Sequence, residues 1–330
     1  MHGVLHVAMD TARPYLNQTV MSRTREELTV RTGSRYAPAS VCANLMEIEQ
    51  APAPCVLIGK PCDIASASKA RTIRPQLDRN LGLTISVFCG GTPSTRGTLK
   101  MLGELGVEPD DVADLRYRGH GWPGMSDVNL KTSDNGDPVE MIYDRAWGKI
   151  LARHITFRCR ICPDGTGEFA DISCGDPWYR PIETGEPGET LIIVRTERGR
   201  ALLRRAMQEG YIWAERRPAD VLPKSQVALN RRRRAVMPKL HARSLLGLPV
   251  PQLRGFRLCW AWLRLPLGRK CLSYYHALRK AFCHRREGPL RLTYASGQPS
   301  VGNRPSALGT ASRQSDTPHA SAHTPANRRR

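Results

Sequence analysis

Short apolar runs framed by turn formers recur through the first two thirds of the chain. "CVLIG" (Cys55–Gly59), between Pro54 and its own closing glycine, has the pattern of a buried strand. "LGLTISVFC" (Leu81–Cys89) and "ETLIIVRT" (Glu189–Thr196) repeat it. "DIASASKARTIRPQL" (Asp63–Leu77) reads as a helix after the first run. "GGTPSTRGTLKMLGELGV" (Gly90–Val107) reads as a glycine turn entering a helix, with Thr92 or Ser94 placed to cap it and Pro93 tolerated in its first turn. Strand, glycine turn and helix make a βα unit, so an α/β fold is expected, with a central mixed sheet and flanking helices.

Residues 114–141 favour strands and turns, with "LRYRGHGWPG" (Leu115–Gly124) a tight, glycine-punctuated segment. "YDRAWGKILARH" (Tyr143–His154) reads as a helix, and "ERGRALLRRAMQEG" (Glu197–Gly210) as an amphipathic helix closed by its last glycine. Residues 1–50 alternate short apolar and polar stretches and read as the remnant of an earlier segment leading into a core at 51–222. A basic helical extension at 223–287 follows. Residues 288–330, rich in Ser, Pro, Thr and Ala, lack the apolar surface to fold and are expected to form a disordered tail. There is no internal repeat.

The net charge of +20 suggests a polyanion binder until it is located along the chain. From Pro223 onward there are 22 Lys and Arg against two acids, which leaves 28 of each sign in residues 1–222. The body is neutral, so arguments from charge concern the last third alone. There the Arg, Leu and Trp mixture, above all Arg254–Arg286, suits basic amphipathic helices on an anionic membrane or an acidic partner. The plainer alternative is a solvated helical appendage. No motif supports sequence-specific nucleic-acid recognition.

Ten cysteines would allow five disulfides, but "MHGVLHVAMDTARPYLNQ" lacks the charged segment and apolar run of an export signal. A reducing cytoplasm is therefore expected, where closely spaced cysteines are metal-binding or catalytic. No window reaches the roughly 18 consecutive apolar residues of a membrane span. In "FRCRICPDGTGEFADISCGDPWY" (Phe157–Tyr179), Cys159 and Cys162 form a CxxC clip with Cys174 further on. Cys62 in "GKPCD" and Cys89 in "VFCGG" stand at the ends of expected strands, so both would emerge at one sheet edge, where ligands bind. Four thiolates can hold either tetrahedral zinc or an iron–sulfur cluster. A single CxxC can equally be a pair of buried thiols. The proline after Cys162 echoes the Cys-Pro ending of ferredoxin-type runs, and two ligands arriving singly from sheet edges depart from the two-knuckle habit of structural zinc. Cys42, Cys55, Cys259, Cys271 and Cys283 read as ordinary apolar or surface cysteines. Cys174 is close enough in sequence to reach the clip.

Taken in order, "GKPCDIASASK", "ISVFCGGTPSTRGT", "LRYRGHGWPG", the cysteine segment and "LIIVRTERGRALL" resemble the coenzyme F420 hydrogenase/dehydrogenase beta-subunit family, over Gly33 to Asp220. The resemblance implies an iron–sulfur flavoprotein oxidoreductase in which Cys62, Cys89, Cys159 and Cys162 ligate one [4Fe–4S] cluster and the central α/β domain binds FAD. Electrons would pass between a redox partner protein, ferredoxin-like or a hydrogenase/dehydrogenase subunit, and coenzyme F420 or another conjugated acceptor. The residues suit a flavin: Gly90, Gly91, Thr92, Ser94 and Arg96 offer amides, hydroxyls and charge to a pyrophosphate. Arg116 and Arg118 would add charge, Trp122 would stack on the isoalloxazine, and Lys60 would meet flavin or a substrate phosphate or carboxylate. Each also has a plainer role as turn glycine, surface cation or packed ring. Glu168, Asp171 and Asp176 would either lower the cluster's potential or cap turns.

Two departures from the family pattern stand out. Family members commonly open with a ferredoxin-like cysteine segment, whereas this sequence begins at Met1 without one, as a late start codon, a truncated gene or a lost cluster would produce. A lone cluster would then take electrons directly from another protein. The family's "PCQ" is here Pro61-Cys62-Asp63, which points to a different potential or substrate. The opposing reading is a non-catalytic, zinc-clipped or cofactor-free remnant docked through its basic end to a membrane or acidic partner, peripheral at the inner membrane face.

Overall fold

A computed structural model describes residues 1–132, 136–181 and 186–287. Met1–Arg286 form one compact unit, and the expected tail at 288–330 lies outside the described residues. Among the described residues, nine strands occur in chain order: β1 (Val4–Met9), β2 (Asn17–Ser22), β3 (Cys55–Gly59), β4 (Leu81–Val87), β5 (Val112–Gly119), β6 (Met125–Leu130), β7 (Val139–Ile142), β8 (Ile172–Gly175) and β9 (Leu191–Val194). Six of them form a mixed sheet in the order β2-β1-β3-β4-β8-β9. Its centre is parallel, and β2 and β9 pair antiparallel at the two edges. Residues 4–22 thus supply two strands of this sheet, so it crosses the boundary expected at residue 50.

The buried faces of β1, β3 and β4 carry Leu5, Cys55, Leu57 and Leu81, which pack on Ile48, Ile64 and Leu77 from flanking helices. Cys55 is an ordinary core residue, fully buried. The helix expected over 63–77 divides into Pro61–Arg71 and Pro75–Asn80. Pro75 is the cause, because it forces Arg74 out of helical geometry to φ −126°, ψ 87°. The strand at 189–196, expected to be buried, is a half-buried edge strand, since β9 has a neighbour on one side only.

Between β4 and β8 the chain builds a second, antiparallel sheet, β5-β6-β7. Its core of Val112, Leu115, Tyr117, Val128 and Met141 packs on Met101 and Leu102 of the helix Thr95–Glu104. Gly124, at φ +78°, closes the β5–β6 turn against the Gly119 carbonyl, leaving no room for a Cβ. Tyr143–His154, expected as one regular helix, is a wide helix at Asp144–Ile150 followed by a tight turn at Leu151–His154. Tertiary contact explains the change of pitch: Ser94 N–H donates to the His154 carbonyl at 2.9 Å, Thr156 N–H to Thr92 O at 3.2 Å, and Ile155 bridges Pro93.

Asp171, just before β8, ties the large sheet to the helix Glu197–Gln208. Buried at 2 % exposure, it accepts from Thr84 N–H (2.8 Å), Thr84 Oγ1 (2.9 Å) and Thr196 Oγ1 (2.6 Å), with Arg198 3.2 Å away. Burial favours its neutral form, but the bonds from Thr196 and Thr84 and the Arg198 charge prevail and hold it below the usual carboxylate range. A depressed folded-state pKa gives stability that is present above the unfolded value and lost as pH falls through the folded one. Asp171→Asn should therefore destabilise the protein by about 2 kcal/mol at pH 7. In urea unfolding series, the gap to the parent should close as the pH drops below about 4.

Candidate functional site

The candidate site lies where β3 and β4 end. These parallel neighbours align Gly59 with Ser86, and Cys62 and Cys89 each follow their aligned residue by three positions. Equal offsets from one rung bring both thiols out at the same edge. Cys62 sits in the first turn of the helix Pro61–Arg71, and Cys89 lies two residues past Val87, so β4 ends earlier than the sequence suggests. The clip arrives from the other side on the short helix Phe157–Arg160, and Cys89 N–H donates to the Gly165 carbonyl at 2.8 Å just beyond it.

Contacts then join the two halves. Thr92 N–H donates to Cys159 Sγ at 3.4 Å, as does Thr156 Oγ1 at 3.3 Å. Gly91, at φ +122°, passes so close that a Cβ would lie 2.8 Å from Ile155 and 3.4 Å from Cys159, which suits glycine alone. Cys62 is exposed to solvent, yet the protein packed around its thiol, with Asp63 and then the Cys89 and Cys162 thiols, pushes its pKa up. Burial likewise takes Cys89 up to about 11, where Cys159 and Cys162 act on it in turn. Cys89 and Cys162 thus lie near Cys62, and Cys159 and Cys162 near Cys89. Cys174 does not join them: it lies inside β8 opposite Val87, and burial alone raises its thiol. Among the described residues, no group of three or more His, Cys, Asp or Glu converges closely enough to hold a single metal ion.

Lys60 faces the thiols. Its Nζ lies 2.7 Å from Asp63 Oδ2; burial opposes the ammonium, but Asp63 and the thiols of Cys62 and Cys89 outweigh that and raise it. Ser94 is the N-cap residue of the helix Thr95–Glu104 but makes no side-chain capping bond, and Arg96 is exposed in the first turn. Asp164 holds the loop after the clip by accepting from the N–H groups of Thr166, Gly167 and Glu168 at 3.1, 2.7 and 3.0 Å. Glu168 pairs with Arg233.

The remaining candidates gather on the second sheet. Arg118 makes a two-pronged bond to Asp176 at 2.8 and 2.9 Å, and Trp122 Nε1 donates to the same carboxylate at 3.0 Å. Trp122 stacks on Trp178 with ring centres 5.5 Å apart, and Arg180 covers it. Arg116 lies 3.8 Å from Asp127. Burial opposes the Arg118 charge, yet Asp176 raises its pKa. Four aromatic residues that no sequence motif singles out join this cluster to the thiols. Trp147 lies against Gly90 and 4.7 Å from Tyr36, while Tyr143 stacks on Trp178 beneath Arg118. Their spacing along the chain carries no common signal; only the fold lines them up.

A mixed α/β sheet thus brings cysteines to one edge, with an aromatic and arginine wall beside them. Residues 54–219 match the family described as the C terminus of the coenzyme F420 hydrogenase/dehydrogenase beta subunit, and the chain belongs to that family. An uncharacterised protein of Methanocaldococcus jannaschii is 25 % identical over 62 % of this chain and 54 % of its own length. From the same organism, the F420-dependent formate dehydrogenase subunit beta is 26 % identical over 56 % of this chain and 45 % of its own. Methanococcus voltae coenzyme F420 hydrogenase subunit beta is 24 % identical over 74 % and 83 %. The chain spans about half the length of the first two relatives. A chain of the F420-reducing [NiFe] hydrogenase complex from Methanosarcina barkeri shares the fold, with a TM-score of 0.56 over 77 % of this chain and 84 % of that one at 17 % identity.

Asp176 is the acceptor that holds the wall together. Replacing it with Ala strands the Arg118 charge, at a cost of about 3 kcal/mol. Tryptophan fluorescence should shift as the Trp122–Trp178 stack loosens, whereas Asp176→Glu should keep the parent spectrum.

Proposed function

We propose that the chain is an oxidoreductase subunit passing electrons between a [4Fe–4S] cluster on Cys62, Cys89, Cys159 and Cys162 and an FAD, and on to coenzyme F420 or another conjugated acceptor. The observation that carries this reading is the convergence of the two halves of the site: the β3–β4 register brings Cys62 and Cys89 out at one edge, and Thr92 N–H on Cys159 Sγ with Cys89 N–H on the Gly165 carbonyl draws the clip to it. Four cysteine thiolates are the ligand set of a [4Fe–4S] cluster.

When bound, the cluster exchanges single electrons and the flavin collects them into pairs. The chain's own residues hold and tune these groups. Thr92 N–H and Thr156 Oγ1 donate to Cys159 Sγ, as bonds to a ligating sulfur would, and Lys60 offsets thiolate charge. The turn at Gly90, Gly91 and Thr92, with Ser94 and Arg96 at the helix start, would take the flavin's pyrophosphate. Arg116, Arg118 and Trp122, with Trp147 and Tyr143, would line its ring. The donor would be a partner protein, ferredoxin-like or a hydrogenase/dehydrogenase subunit, in the cytoplasm.

The test is metal and flavin analysis of chain purified without oxygen. About four irons and one flavin per chain are expected. Cys62→Ser and Cys159→Ser should lose the iron, and Cys174→Ser should keep it. Zinc in place of iron, or iron retained in both ligand variants, would reject the assignment.

A specific feature also supports a membrane surface as the resting place. No acidic residue occurs between Pro223 and Arg286. The helix Leu267–Glu287 exposes Leu267 (75 %), Cys271, Tyr275 (60 %) and Leu278 along one stripe, with exposed Arg269, Arg279 and Lys280 on the same helix. An apolar stripe on a helix that also exposes cations complements an anionic bilayer. No helix of the described residues is long and apolar enough to cross one. Co-sedimentation with phosphatidylglycerol-containing vesicles, weakened by salt and by Tyr275→Ser with Leu278→Ser, is the expected result. Equal recovery with pure phosphatidylcholine vesicles would remove this part of the reading.

A further inference from the structure

The family-matched segment ends at residue 219, yet the chain beyond it returns to the cysteines. Gln226 Nε2 donates to the Asp176 carbonyl at 2.7 Å, and Leu229, on the helix Val227–Arg234, packs so closely on Gly165 that a Cβ there would lie 2.9 Å from it. From the same helix, Arg232 Nη2 donates to the Gly90 carbonyl and Nη1 to the Cys159 carbonyl at 3.5 Å. Gly90 follows Cys89, and Cys159 opens the clip. One guanidinium therefore bridges the turn that carries Cys89 and the helix that carries Cys159 and leads into Cys162.

On the next helix, Val236–Leu245, Lys239 Nζ donates to the Arg160 carbonyl at 2.8 Å. Burial pushes this ammonium down to about 8, and the charges that act on it, Lys280, Arg232 and Arg160, are all positive. Carboxylates stand nearby as well: Asp63 pairs with Lys60, Glu168 with Arg233, and Asp164 accepts from the backbone amides of its loop. Arg232 and Lys239 therefore set two cations on the backbone of the segments that carry Cys89, Cys159 and Cys162. A four-thiolate cluster carries net negative charge, which deepens on reduction, so it is the natural counter-charge.

We propose that Arg232 is a positioning residue that clamps the Cys89 turn to the Cys159–Cys162 clip, and that Arg232 and Lys239 together raise the reduction potential of the cluster bound there. The proposal rests on the cluster reading of the site. It assigns to the C-terminal extension, outside the matched segment, a part in building and tuning the centre. A charge and a backbone anchor just outside the ligands act as outer-sphere partners do at other metal sites, by orienting ligands and setting potential.

Full-length parent, Arg232→Gln, Arg232→Lys and Lys239→Gln are to be compared in two measurements. In a dithionite titration followed by electron paramagnetic resonance, Arg232→Gln and Lys239→Gln should have lower midpoint potentials than the parent, and Arg232→Lys should stay near it. In hydrogen exchange on the cluster-free chain, Arg232→Gln and Arg232→Lys should both speed exchange at 89–92 and 157–162, because lysine keeps the charge but cannot fork between two carbonyls. Midpoint potentials unchanged in both Gln variants would overturn the tuning role. Exchange unchanged in both Arg232 variants would overturn the clamp. A parent that takes up no iron, with exchange still faster in the variants, would sink the cluster and its tuning while leaving the clamp standing.

Discussion

The site depends on the parallel pairing of β3 with β4. That register places Gly59 beside Ser86, so two turns that are unrelated in sequence leave the sheet side by side, each delivering a cysteine at the same offset. A one-residue slip would send alternate side chains to the opposite face, so the buried Leu57, Leu81 and Leu83 hold the thiols in place by holding the register. The apolar core and the chemistry are therefore coupled through backbone hydrogen bonds.

Around that edge, elements from distant parts of the chain are brought in by specific polar links. Asp171 anchors β8 and the following helix to Thr84 of β4, and Asp164 folds the loop that carries the clip onward. Asp176 joins the end of the cysteine segment to Arg118 and Trp122 on the second sheet. Of the four carboxylates in the cysteine segment, the three aspartates are consumed in making structure and Glu168 in pairing with an extension arginine. Arg232 and Lys239 of the extension meet the same segment through its backbone carbonyls.

Much of this was legible in the sequence. The apolar runs at 55–59 and 81–87, the glycine turn before the helix at Thr95, and the amphipathic helix closed at Gly210 carry local signals strong enough to survive folding. The four cysteines stood out because their residue type and the CxxC spacing are themselves chemical. Less was legible where tertiary contact overrode propensity. The Tyr143–His154 segment changes pitch because Ser94, Pro93 and Thr92 pin the chain at its end, and β9 is half-buried because it lies at an edge. Tyr36, the Tyr143–Trp147 pair and Trp178 come from three separate segments, and an aromatic side chain gives no sign in sequence of what it will face.

By itself, the sequence determined the fold class and the main strands and helices, and it singled out four cysteines by residue type and spacing, because hydrophobic period, turn chemistry and ligand type are local properties. The tertiary structure alone decided which thiols meet, that Cys174 stays apart within β8, and that Arg118, Trp122 and Asp176 form one unit. It alone brought Arg232 of the basic extension back onto the backbone of Gly90 and Cys159. Those outcomes follow from strand register and helix packing between residues up to 142 positions apart, and no short-range pattern records a contact made over such a distance.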